Sequence, residues 1–237
     1  MNTTFPYQKL LFRILHNLLA LFVILAILTA IWTYNTYDAR ILKIPLLPPW
    51  REIEGIHGTF GLFTILILPF FVIYCFHRGN AKLIQKDTLA KIKLSHTPIG
   101  KYSIHRLVNT LNILALTFAT FTGKMMDETW LPRGELNHFA YFLHLISLVL
   151  LILTISLHLL TISQIGGKEL IMSMLKWGYI DKDSPQHWPG KIQNFIRNYR
   201  QIIQREWNRI PAFSKKVELA ILLAIVMAWV ISILKSI

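Results

Sequence analysis

The chain has 237 residues, 54% hydrophobic and 16% charged, with a mean hydropathy of +0.46 and a formal net charge of +13. That balance lies outside the range of ordinary water-soluble domains. Its one cysteine, Cys75, excludes an intramolecular disulfide and any Cys-x-x-Cys site.

Five segments are long enough to supply the roughly 20 mainly apolar residues that cross a bilayer. The first covers residues 10–34. Its apolar run is too long for a cleavable signal peptide, and no small-residue cleavage site follows it. The run "PLLPPW" at 45–50 breaks any helix and marks a loop at the membrane interface. The second span is predicted over 55–75, with Gly55, Gly58 and Gly61 at every third position. The third is predicted over 105–123, the fourth over 139–165 and the fifth over 217–233. Between the last two, "PGKIQNFIRNYRQIIQREWNRI" at 189–210 repeats apolar residues at helical spacing, with Lys191, Arg197, Arg200, Arg205 and Arg209 on other faces. That pattern predicts an amphipathic helix, either lying on anionic membrane lipid or docking an acidic soluble electron carrier. The expected architecture is an all-α integral membrane protein. A four-span bundle occupies 1–165, a basic interfacial segment 166–216, and a fifth transmembrane helix 217–237.

Charge sets the orientation. With the N-terminus on the cytoplasmic side, the inner segments hold 19 Lys and Arg against 6 acids, and the outer segments hold 6 against 6. The inner excess equals the whole net charge, which is the positive-inside pattern in strong form. These bases flank spans and form no recognition motif, so nucleic acid is not an expected partner.

Ionisable residues inside hydrocarbon are costly and point to function. In this topology His16 falls near the inner face and His57 near the outer face. His144 and His158 bracket the run "HLISLVLLILTISLH", which has no charge between them. Fourteen helical residues rise about 21 Å and stop about 40° short of four turns, so both imidazoles point the same way at opposite ends of one span. Two histidines from different helices at each level are what a bis-histidine haem requires, because low-spin iron takes one neutral imidazole from each face of the ring. The pairs expected are His57 with His144 and His16 with His158, as axial ligands of two non-covalent b haems. His105 at the start of the third span is an alternative inner ligand. A haem-free transport or assembly subunit, its histidines lining a proton path or merely packing, also fits the composition.

The four-histidine arrangement resembles the cytochrome b subunit of membrane formate dehydrogenases and nickel–iron hydrogenases, within the prokaryotic di-haem cytochrome b561-like superfamily. "HTPIG" at 96–100 is similar to the His-Asn-Pro-x-Gly that precedes that family's third span, and "FTG" at 121–123 to the end of it. The resemblance covers about residues 5–165 and implies a four-helix bundle, two b haems and quinone chemistry near the inner one. It also implies a redox partner protein or complex, in a prokaryotic plasma membrane or a photosynthetic thylakoid membrane. The basic segment and the fifth span depart from the four-span type. A self-contained quinone reductase or superoxide oxidase of the same fold is a second redox reading.

A quinone needs an apolar slot and a hydrogen-bond donor at each carbonyl. The start of the third span combines a loop glycine and polar donors beside the inner haem, so Gly100, Lys101, His105 and Asn109 are the expected quinone site. No catalytic residue is assigned. His77 reads as interfacial, His96 and His138 as loop residues, and His187 as part of the polar segment. None matches zinc spacing such as H-E-x-x-H.

Overall fold

The computed structural model describes residues 6–126 and 138–235. The loop charges Asp127, Glu128, Arg133 and Glu135, counted above on the outer side, lie outside the described residues. Among those described there is no strand, and eight α-helices carry the chain. They are α1 (Leu10–Tyr37), α2 (Ile53–Arg78), α3 (Thr88–Ile92), α4 (Pro98–Met125), α5 (Phe139–Ile165), α6 (Gly167–Leu175), α7 (Trp188–Arg209) and α8 (Ala212–Lys235). The protein is an all-α membrane bundle.

Among the described residues, α1, α2 and α5 are long and apolar enough to cross a membrane. Their outward faces carry Leu21, Ile24 and Leu28 on α1 and Val149 and Leu153 on α5, all exposed, the reverse of a helix built for water. Hydroxyls within the spans are hidden by bonding back along their own helix, as Thr33 does to the Thr29 carbonyl and Thr64 to that of Phe60. α4 is as long as α1 but is interrupted by Arg106, Asn109 and Asn112.

The sequence places the third span at residue 105, whereas α4 begins at Pro98. Proline suits a first helical turn because its missing N–H would be unpaired there anyway. Thr97 then accepts the Gly100 N–H at 3.2 Å through its hydroxyl. The expected Gly100–Lys101 turn is therefore the first turn of a helix. A Cβ at Gly100 would collide with the Leu94 carbonyl, so this residue serves close packing rather than a loop. α5 ends at a corner where Gly167 has φ +54, a left-handed conformation that favours glycine.

The chain forms two compact units. One comprises the chain up to Asn17, Phe70–Thr110 and Leu157–Ala220, and its core includes Val72, Phe76, Leu83 and Val108. Within it, α1 is anchored at its start. Asp183 accepts the Leu10 N–H and the Tyr7 hydroxyl, each at 2.5 Å. The buried Arg13 donates to the carbonyls of Lys176 and Gly178. The other unit comprises Leu18–Pro69, Leu111–Ser156 and the chain from Ile221. Its core includes Val23, Ile65, Leu68, Ile113, Leu151 and Ile225.

Candidate functional site

In the unit that contains Leu18–Pro69, α2 and α5 bring His57 and His144 together, with ring centroids 6.1 Å apart and planes at 57°. The His57 Nδ1 lies 3.0 Å from the Ala26 carbonyl. A carbonyl only accepts, so Nδ1 carries the proton and Nε2 keeps its lone pair. The His144 Nδ1 lies 3.0 Å from the Thr122 hydroxyl oxygen. Thr122 donates its own proton to the Phe118 carbonyl at 2.9 Å, which leaves its oxygen to accept from His144. Both rings are thus set with Nε2 as the free donor atom, the second-sphere arrangement that fixes a ligating histidine.

These two rings line a cavity of about 370 Å³ whose walls include Ala26, Gly58, Gly61, Ala119 and Gly123. A Cβ at Gly58 or Gly61 would meet nothing within 4 Å, whereas one at Gly123 would lie 3.2 Å from Cε1 of His144. Gly58 and Gly61 therefore keep open space, and Gly123 lets the His144 ring pack against α4.

In the unit that contains Phe70–Thr110, three imidazoles converge. His158 on α5 lies 6.3 Å from His16 on α1, with planes at 36°, and 5.7 Å from His105 on α4, with planes at 19°. The His158 Nδ1 is 2.9 Å from the Asn109 amide oxygen, and the Asn109 nitrogen donates to the Lys82 carbonyl at 2.9 Å. That second bond fixes which end of the amide faces His158. Asn109 is thus engaged at both ends. The His105 Nδ1 sits 2.9 Å from the Thr161 hydroxyl, which itself donates to the His158 carbonyl at 3.0 Å. His16 makes a long contact, 3.4 Å, to the Asn17 amide oxygen, and it packs against Phe12 and Phe71. Lys101 is exposed near the start of α4.

An iron bound end-on by two imidazoles, at about 2 Å from each nitrogen, puts the ring centroids about 6 Å apart. The 6.1 Å and 6.3 Å pairs fit that requirement, and the free Nε2 atoms of His57, His144 and His158 fit its chemistry. Among the described residues, no group of three or more His, Cys, Asp and Glu side chains is placed to hold a bare metal ion.

Several partners are invisible in the sequence because they are contributed by other helices. The Ala26 carbonyl, Thr122 and Thr161 carry no local signal, although Thr122 lies within the "FTG" run. His77, expected to be interfacial, lies in the last turn of α2 and pairs its Nε2 with the buried Glu218 carboxylate of α8 at 3.0 Å. His138 caps α5 by accepting the Ala140 N–H at 3.2 Å.

Residues 7–177 match the family model described as prokaryotic cytochrome b561. Comparison with curated proteins and with solved structures returned no match.

Proposed function

The chain belongs to the prokaryotic cytochrome b561 family, and we propose that within it this protein is a di-haem electron-transfer subunit linked to the quinone pool. Membership makes it an integral membrane protein of a prokaryotic membrane with a transmembrane, b-haem electron-transfer role. The finer reading rests on one observation, two separate imidazole pairs at nearly equal separations, 6.1 and 6.3 Å.

In this reading His57 and His144 hold one haem and His16 and His158 the other. Bound b haem supplies reversible one-electron exchange between ferric and ferrous iron. The chain's own groups do the rest. The Ala26 carbonyl, Thr122 and Asn109 hold the imidazoles in the ligating tautomer. The apolar helices exclude water from the iron environment, which tunes its potential. His16 is the fourth ligand in this reading, and His105, 5.7 Å from His158 with its Nδ1 2.9 Å from the Thr161 hydroxyl, is the alternative.

His105 then borders the quinone site beside His158. It is 8% exposed and its ring packs on that of His158. Asn109 contributes by orienting His158, while Gly100 and Lys101 shape the start of α4. Resemblance to dehydrogenase and hydrogenase subunits supports a larger complex that delivers or accepts the electrons.

Quantitative iron and haem per polypeptide, measured on purified protein, tests the reading. Two haems per chain support it, and one or none overturns it. His105→Ala tests the quinone site. Retention of both haems with a large loss of quinone-linked reoxidation supports the site, and an unchanged rate rejects it. Loss of the haem at His158 would make His105 the ligand in place of His16.

A further inference from the structure

α7 falls beyond the matched residues, and the redox reading makes no use of it. It runs for 22 residues without one that is buried. Ile192, Phe195, Ile196, Tyr199, Ile203 and Trp207 are all exposed, Ile196 to 66%. Their spacing is that of a single helical face. A helix with no buried face is marginal in water, and a continuous apolar stripe of this size marks a surface that is covered.

Charge says what covers it. The helix carries Lys191, Arg197, Arg200, Arg205 and Arg209 against a single acid, Glu206. That acid is already engaged, 3.2 Å from Arg209 and 3.7 Å from Arg78 at the end of α2. The Arg78 contact tethers α7 to the end of a helix apolar enough to span the membrane. Tyr199 and Trp207 offer apolar bodies with polar tips, and the long basic side chains can lay their stems along apolar surface while their heads meet phosphate.

We propose that α7 is an anionic-lipid-binding helix. Its apolar face lies at the boundary between headgroups and acyl chains, and its cations sit among the phosphates. Asn198, at φ −122 and ψ 22, divides the helix into two halves, so the test compares positions within one half. Ile203 and Arg205 point about 160° apart on a regular helix.

The experiment uses the full chain in lipid nanodiscs. One nitroxide is placed at Ile203→Cys or Arg205→Cys, while the native Cys75 stays buried. Collision with oxygen, which partitions into lipid, and with a water-soluble nickel chelate reads the environment. The oxygen-to-nickel ratio should be several-fold higher at 203 than at 205, and the contrast should grow when phosphatidylglycerol replaces part of the phosphatidylcholine. Equal ratios at the two positions would overturn the proposal. So would shielding of position 203 from both reagents, the mark of a protein partner or a second copy, or a contrast indifferent to anionic lipid.

Discussion

An alanine at position 123 would bring its Cβ to 3.2 Å from the His144 ring, tighter than ordinary contact. A valine there adds bulk that the ring can escape only by leaving its bond to Thr122. Gly123→Val should therefore empty the haem proposed at His57 and His144 and leave the one proposed at His16 and His158 in place, read as loss of one component in the reduced-minus-oxidised spectrum. Asn109 acts at one remove. Replacement by the similarly sized Leu deletes the acceptor for the His158 Nδ1–H, and outer-sphere losses of this kind weaken metal binding on the order of 10–100-fold. Haem transfer from Asn109→Leu to an apo-globin acceptor should accelerate accordingly, with no effect on the haem at His57.

Asp183 is a structural counterpart outside the spans. Burial alone would raise its carboxyl pKa, but the Tyr7 hydroxyl and the Leu10 N–H outweigh that and hold it below the usual value. A carboxylate with a depressed folded-state pKa contributes stability that is present above the unfolded value, about 3.9. That contribution is lost as pH falls through the folded value. Thermal scans of Asp183→Asn should show a lower midpoint than wild type near neutrality, and the gap should close under acid. A constant gap across pH would contradict this role.

At the scale of elements, α8 is held by a bond no sequence pattern announces. His77 and Glu218 are 141 positions apart, and Glu218 is 1% exposed. Removing one partner of a buried pair leaves an uncompensated group and costs about 3 kcal/mol, whereas replacing both with apolar residues is often neutral. His77→Ala should lower thermal stability markedly, and the double change His77→Leu with Glu218→Leu should recover most of it. A double variant as unstable as the single one would show that α8 is held otherwise.

The same contrast governs what the sequence made legible. The sequence places the fourth span at 139–165, matching the observed ends of α5, because a long apolar run bounded by polar residues carries its own limits. The predicted third span starts seven residues inside α4, because the helix itself begins in a basic, polar stretch where hydropathy is silent and Thr97 and Pro98 are the signal. The four histidines were legible as isolated polar groups in oily helices. Their orienting partners were not, since a carbonyl such as that of Ala26 is identical at every position in the chain until folding selects one. The sequence offers Asn109 as a quinone-site residue, and it carries no signal of the bonds its amide makes to His158 and to the Lys82 carbonyl.

At the scale of the whole molecule, the charge asymmetry predicts an orientation. By the positive-inside pattern the basic stretch between α2 and α4 is expected in the cytoplasm and the loop between α1 and α2 outside. Reporter fusions at Lys43 and Lys93 should therefore report opposite sides, and a shared side would refute the assigned orientation. The α5 helix supplies one imidazole to each proposed pair.

The most direct measurement is an optical redox titration of the wild-type protein beside His57→Ala, His144→Ala, His16→Ala and His158→Ala. The account predicts two one-electron components in the wild type. His57→Ala and His144→Ala should lose the same component, and His16→Ala and His158→Ala should both lose the other. A single component in the wild type, or different components lost from His57→Ala and His144→Ala, would contradict it.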